Sequence, residues 1–305
     1  MHHQFMGGIT WPFLKWAGGK RRLARHLAAL CPDRFERYIE PFLGSGALFL
    51  YLAQTRQPFP ALLSDSNAEL VNVYRCVRDS VNELAQALEE HERRYYRNPE
   101  GHYYRVRDDC RPQDRIERAA RMIFLNKTCY NGLYRVNRAG RFNVPHGTYV
   151  RPAICNKEAL MSASEILNRD GVSIRRADYS SAISACRPGD LVYLDPPYLP
   201  ITKTASFTDY TSESFGYDDH VALAKEFQRL SDLGCTVVLS NSNSVRIRRL
   251  YEGFAIQTVG VSRSINCNAS RRTGQSELVV TNAQVIRRQL LSGRQALPAS
   301  APRTS

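Results

Sequence analysis

Asp195, Pro196, Pro197 and Tyr198 follow directly on the apolar run Leu191, Val192, Tyr193, Leu194. A carboxylate, a proline carbonyl and an aromatic ring in succession suit group transfer to an exocyclic amine. Asp195 and the Pro196 carbonyl can accept both hydrogens of an aromatic amine and draw its lone pair out of conjugation, while Tyr198 stacks on the ring. Pro197 holds the turn stiff. This chemistry needs no metal, and the eight cysteines are scattered, with no C-x-x-C and no zinc spacing.

Such a corner must be held by a sheet. The run 191–194 reads as a buried parallel strand, and its carboxyl edge is where open α/β sheets bind ligands. Arg37 to Phe42 reads as a first strand, followed by Leu43, Gly44, Ser45, Gly46 and an apolar helix through Leu48, Phe49 and Leu52. Strand, glycine turn and helix open a Rossmann-like sheet. The dinucleotide fingerprint would need a third glycine where Phe49 stands, which argues against a nicotinamide enzyme. The second strand, Ala61 to Ser64, ends in Asp65, a carboxylate set against the glycine loop and placed to hydrogen-bond a ribose diol. Ser66 with Glu69, and Ser80 with Glu83, read as capping boxes, and Asp114 as a helix start. Ahead of the first strand, Trp16, Gly18, Gly19 and Lys20 suit a turn close to an anionic group. Farther on, Val172 to Arg175 reads as a strand ending near Asp178 and Tyr179, and Thr236 to Leu239 as another. Phe254–Val259 and Glu277–Thr281 read as an antiparallel closing hairpin. Residues 199–217 are expected to form a mobile loop.

The charge is large and segregated. Lys plus Arg number 42 against 29 acids, a net charge of +13. Between Glu117 and Glu158 stand eight cations and no acid. Such a footprint points to a polyanion. Within it, residues 126–145 mix asparagine, glycine, arginine and aromatics without helical period. They suit a hairpin whose tip enters a DNA groove, a solvated basic hairpin being the plain alternative. The stretch from about 80 to 165 is too long for one crossover and reads as a mostly helical insertion. The chain therefore divides into a sheet domain, 10–79 and 166–283, an inserted recognition subdomain, 80–165, and a basic tail, 284–305, expected to be disordered. With no signal peptide, no membrane-length apolar run and reduced cysteines, the expected location is the cytoplasm, without a membrane partner.

Four pieces stand in order: FLKWAGGK (13–20), IEPFLGSGALF (39–49), FLNKTCYNGLYRVNRAGRFNVPHG (124–147) and VYLDPPY (192–198). With LLSDSN (62–67), Ala177-Asp178-Tyr179 and SRSINCNASRR (262–272), they resemble the Dam type of DNA adenine methyltransferase over nearly the whole chain. The resemblance implies a doubly wound, Rossmann-like seven-stranded α/β methyltransferase sheet with one antiparallel strand, and S-adenosylmethionine as donor. Carried over by position, Trp16, Lys20, Asp65 and Asp195 match cofactor contacts, the Gly44 to Gly46 loop lies beside the methionine part, and Asp178 holds the cofactor adenine. Tyr130, Asn131, Leu133, Arg135 and Pro145 match positions that contact DNA, and Asn137 lies in the same hairpin. The implied reaction is methylation of the exocyclic N6 of a flipped adenine in double-stranded DNA, at a GATC-like site. A monomer in the bacterial cytoplasm or nucleoid, with no obligate protein partner, is the default expectation for an asymmetric base-flipping enzyme. Tyr134 and Val136, flanking Arg135, depart from the pattern and could shift the site read. Two other readings stay open: a catalytically silent DNA-binding regulator of the same fold, and an amino-methyltransferase acting on cytosine or RNA.

Overall fold

The computed structural model describes residues 9–16, 20–199, 215–261 and 275–283. Seven strands, β1 (Tyr38–Glu40), β2 (Ala61–Asp65), β3 (Val172–Arg176), β4 (Leu191–Leu194), β5 (Thr236–Ser242), β6 (Ala255–Val261) and β7 (Gln275–Thr281), form one sheet. Their order is β3-β2-β1-β4-β5-β7-β6. Neighbours are parallel from β3 through β5, and β7 runs antiparallel to both β5 and β6. The architecture is the doubly wound α/β sheet with one antiparallel strand that the sequence led us to expect.

Side-chain alternation explains the layering. All four residues of β4 are buried; Leu191 and Tyr193 join one apolar cluster, Val192 and Leu194 the other. Burial on both faces is the mark of a central parallel strand covered on each side. Helices α1 (Ala24–Leu30), α2 (Ala47–Thr55) and α3 (Ala68–Asp79) contribute Leu27, Leu48 and Leu70 to the first cluster. Helices α8 (Tyr179–Ser184), α9 (Tyr217–Asp232) and α10 (Val245–Leu250) contribute Ile183, Phe227 and Ile247 to the second. The strand order reverses between β1 and β4, so their carboxyl ends diverge from neighbouring connections and leave a crevice.

Between α3 and β3 the chain builds α4 (Val81–Arg97), α5 (Pro99–Asp108), α6 (Arg115–Thr128), a hairpin and α7 (Lys157–Leu167). Leu84, Phe124 and Leu160 of these helices belong to the same apolar cluster as Tyr193 of the sheet. Phe124 is ringed by His91, His102 and Tyr95 at centroid distances of 4.8, 5.0 and 5.9 Å. No helix among the described residues is long and apolar enough to cross a membrane.

Local signals fared unevenly. Asp114 caps α6, its Oδ1 accepting from the Ile116 and Glu117 N–H groups, and Gly234, at φ +92°, stops α9. The expected cap at Ser66 is one residue off: Asn67 caps α3, its Oδ1 accepting from the Glu69 and Leu70 N–H groups. Ser80 precedes α4 without a side-chain capping bond, because its Oγ accepts from Arg115 instead, at 2.7 Å. The Gly18-Gly19 turn, most of the expected mobile loop, the basic loop between β6 and β7 and the tail lie outside the described residues.

Candidate active site

The crevice is a cavity of about 850 Å3 floored by the carboxyl ends of β1, β2 and β4. Among the described residues Glu40, Asp65, Asp178, Asp195 and Asp219 line it, against one cation, Lys20. The glycine turn after β1 forms one wall. Gly44 and Gly46 adopt φ of +48° and +60°, a region that L side chains rarely enter. A Cβ at Gly44 would lie 3.0 Å from the Trp16 indole, and one at Gly46 would lie 2.8 Å from the Tyr74 hydroxyl, so both glycines serve conformation and close approach. Asp65 ties this turn to the next strand: its Oδ2 accepts from the Gly44 N–H at 3.2 Å and its Oδ1 from the Asn67 N–H at 2.9 Å. Burial raises the Asp65 carboxyl above its ordinary range against these N–H donors. Burial pushes Glu40 well above it, opposed by Tyr38. Glu40 Oε2 is buried and finds no hydrogen-bond partner among the described residues. Asp178 lines the cavity and caps α8 through the Ser180 N–H at 2.8 Å. Phe42 and Tyr179 stack at 5.3 Å alongside.

Asp195 stands where β4 ends, and its partners come from the segment ahead of α1 and from β5. Lys20, only 3% exposed, sets its Nζ 2.9 Å from Asp195 Oδ1 and donates to the Tyr198 hydroxyl at 2.7 Å. The same Nζ lies 3.6 Å from Glu277 Oε2 on β7 and 4.8 Å from the Tyr198 ring centroid. Ser240 donates to Asp195 Oδ1 at 2.9 Å. The Tyr193 and Ser240 oxygens are 2.9 Å apart; since the Ser240 hydrogen goes to Asp195, Tyr193 donates to Ser240. Two donors on one oxygen fix the orientation of a carboxylate that is 20% exposed to the cavity. Lys20 thus joins the carboxylate and the ring of the Asp195 corner in one network.

The acid-free stretch leaves α6 through Cys129, which bridges to His146, and a second bridge joins Val136 to Phe142. Asn131, at φ +56°, and Gly132, at φ +64°, reverse the chain there and leave Tyr130 and Leu133 exposed. The Tyr130 N–H donates to the Pro145 carbonyl at 2.9 Å. Arg135, exposed, donates through Nε to Asn143 Oδ1 at 2.7 Å. At the tip, Asn137 Oδ1 accepts from the Ala139 and Arg141 N–H groups, both at 3.0 Å, so this side-chain oxygen shapes the turn. The base of the hairpin is fastened beside the cavity. Asn126 accepts from the Lys15 N–H at 2.8 Å and donates to the Lys15 and Gly132 carbonyls, and Tyr134 stacks on Trp16 at 5.5 Å.

The family model described as "D12 class N6 adenine-specific DNA methyltransferase" matches residues 16–265. The chain belongs to this family. It is 40% identical to the Type II methyltransferase M1.LlaDCHI of Lactococcus lactis subsp. cremoris over 276 residues, 89% of this chain and 95% of that one. It is 39% identical to the Type II methyltransferase M.MjaIII of Methanocaldococcus jannaschii over 292 residues, 89% of this chain and 98% of that one. With the DNA adenine methylase of Escherichia coli K12 it shares 33% identity over 272 residues, 88% of this chain and 93% of that one. Among solved structures, TrmN of Thermus thermophilus aligns with a TM-score of 0.38 and 15% identity, covering 85% of this chain and 48% of that one.

In this adenine methyltransferase, the residues singled out from sequence fall into two places. Trp16, Lys20, Gly44, Gly46, Asp65, Asp178 and the Asp195–Tyr198 corner all line the cavity. Tyr130, Asn131, Leu133, Arg135, Asn137 and Pro145 belong to the hairpin segment, with Tyr130, Leu133, Arg135, Asn137 and Pro145 exposed. Sequence reasoning missed Glu40, Tyr193, Ser240 and Glu277. Ser240 had a usable signal: β5 runs parallel to β4 with Leu239 opposite Leu194, so the next pair is Asp195 with Ser240. Glu277 had none, since its approach to Lys20 depends on where the antiparallel β7 inserts.

Proposed function

We propose that this enzyme moves a methyl group from S-adenosylmethionine to the exocyclic N6 of an adenine turned out of double-stranded DNA, at a short GATC-like site. The observation that carries this reading is the Lys20–Asp195–Tyr198 network at the edge of an acidic cavity. The cavity suits a cationic ligand that is apolar in part. It gathers five carboxyl groups, one with a buried unpartnered oxygen, around a glycine turn and stacked aromatic rings. Trp16, Lys20, Asp65, Asp178 and the Gly44–Gly46 turn would hold S-adenosylmethionine there. When bound, this cofactor supplies a methyl group on a positively charged sulfur.

The remaining work belongs to the chain. Asp195 and the Pro196 carbonyl accept the two amine hydrogens of adenine, which localises the nitrogen lone pair for attack. Lys20 and Ser240 hold Asp195 Oδ1, so the carboxylate keeps one orientation while it does so. Tyr198, anchored at its hydroxyl by Lys20, offers its ring to the base. Catalysis on this plan is positioning of amine and methyl in line. Unstacking the base costs on the order of a few kcal/mol, which hairpin contacts to DNA offset. Residues 10–79 and 166–283 then form the catalytic part and 80–165 the recognition part, acting as a monomer in the bacterial cytoplasm or nucleoid.

The test is transfer of labelled methyl from S-adenosylmethionine to a GATC-containing duplex, followed by digestion to nucleosides. Label in N6-methyladenine is expected, with 2-aminopurine fluorescence rising when that base replaces the target. Label in N4-methylcytosine, transfer only to RNA, or DNA binding without transfer would each replace this reading by one of its rivals.

A further inference from the structure

The cavity wall and the hairpin share a row of aromatic rings. Trp16 lines the cavity, and its Cδ1 lies where a Cβ on Gly44 would be only 3.0 Å away. The Trp16 and Tyr134 rings stack at 5.5 Å with 24° between planes. Tyr134 meets Phe142 edge-on at 5.9 Å, and Phe142 is the residue that bridges to Val136 and closes the hairpin. The ring of one residue therefore joins the cavity wall to the closure of the hairpin, while its backbone continues into Arg135.

A residue that only filled space here could be any apolar side chain. Tyr134 instead offers a flat face to an indole that lies against the glycine turn, and its ring is part-buried rather than sealed in the core. Ligand binding that orders the turn must order Trp16, and ordering Trp16 restricts Tyr134 and the strand that carries Arg135. Coupling of two sites needs such a contiguous physical contact, with each ligand favouring the same arrangement.

We propose that Tyr134 is a positioning residue that registers the recognition hairpin against the cofactor turn, so that cofactor and DNA bind with positive coupling. This inference rests on the functional reading above, in which the cavity takes S-adenosylmethionine and the hairpin meets DNA. Arg135 reads a base only in the register that the stack sets, and that register is completed when the cavity is filled.

The experiment is calorimetric titration of the full chain with S-adenosylhomocysteine, which cannot turn over, alone and in the presence of a saturating GATC duplex. The converse titration with duplex must return the same coupling factor. For the wild type and Tyr134→Phe, which keeps the ring, a coupling factor of roughly 5 to 150 is expected. For Tyr134→Ala and Tyr134→Leu it falls to about 1, with thermal melting confirming a folded chain. Leu keeps bulk without a stacking face, so it carries the test if Ala does not fold. Coupling retained in Leu, or lost in Phe, overturns the role of the stack. A wild type that binds each ligand singly with no coupling overturns this inference alone. A wild type that binds only one of them, or neither, overturns the functional reading and this inference with it.

Discussion

The cavity and the segment 118–157 are electrostatic opposites within one basic protein. The first gathers, among the described residues, five carboxyl groups around one buried lysine; the second carries eight cations and no acid. A net charge of +13 describes neither. Charge segregated in this way lets one region attract a polyanion while the other suits a cationic group. The two regions also differ in construction. The cavity is built from strand ends, fixed by a sheet buried on both sides, whereas the hairpin rests on two isolated bridges and side-chain fastenings.

The sharpest way to break the comparison is to remove the cavity's cation. Lys20→Met leaves Asp195 and Glu277 facing each other without the ammonium that separates them. Breaking a buried ion pair from one side costs about 3–5 kcal/mol. Chemical denaturation should report a loss of that order, with turnover lost as well; a variant of wild-type stability would mean that Lys20 does not hold the corner.

Arg135→Ala addresses the opposite region. If Arg135 makes a bidentate base contact, competition binding should show discrimination at one base pair relaxed by about 1–3 kcal/mol. Equal weakening on cognate and random duplexes, with a shallower salt dependence, would make it a phosphate contact instead.

Acid should separate the two regions by sign. Burial lowers His91 and His102, which pack on Phe124 of the basic segment, from 6.5 to about 4. Their folded forms stay neutral where the unfolded chain takes up protons, so stability is full above pH 6.5 and falls towards pH 4. The slope is about 1.4 kcal/mol per pH unit for each histidine. Asp65 and Glu40 are raised by burial, so the folded cavity holds protons that the unfolded chain releases, and acid relieves their cost. Protection factors from hydrogen exchange, corrected for the intrinsic pH dependence of the exchange rate, should therefore fall from pH 7 to pH 5 in α4 and α5 more than in β1, β2 and β4. A uniform fall would contradict the contrast.

What the sequence made legible follows the same division. Apart from Trp16 and Lys20, the cavity was readable because its motif residues follow the ends of apolar strands, and a parallel sheet brings strand ends to one edge whatever the loops do. Gly44, Gly46, Asp65, Asp178 and Asp195 all arrived there for that reason. Their partners were less legible. Glu277 meets Lys20 only because β7 inserts between β5 and β6, a choice made by tertiary packing. The Ser66 cap failed for a smaller reason: Asp65, Ser66 and Asn67 are all competent, and Asp65 holding the Asn67 N–H sets the register. In the hairpin, composition indicated a basic reader, but the stacking of Tyr134 on Trp16 joins residues far apart in the chain that no periodicity connects.

The most direct measurement is single-molecule modification sequencing of DNA from cells expressing this chain, set beside cells expressing Asp195→Ala. Methyladenine at one short motif in the first and none in the second is the expected result, with the variant folded and still binding DNA. Methyladenine at the same level in both would contradict the role assigned to Asp195, and with it the chemistry of the corner.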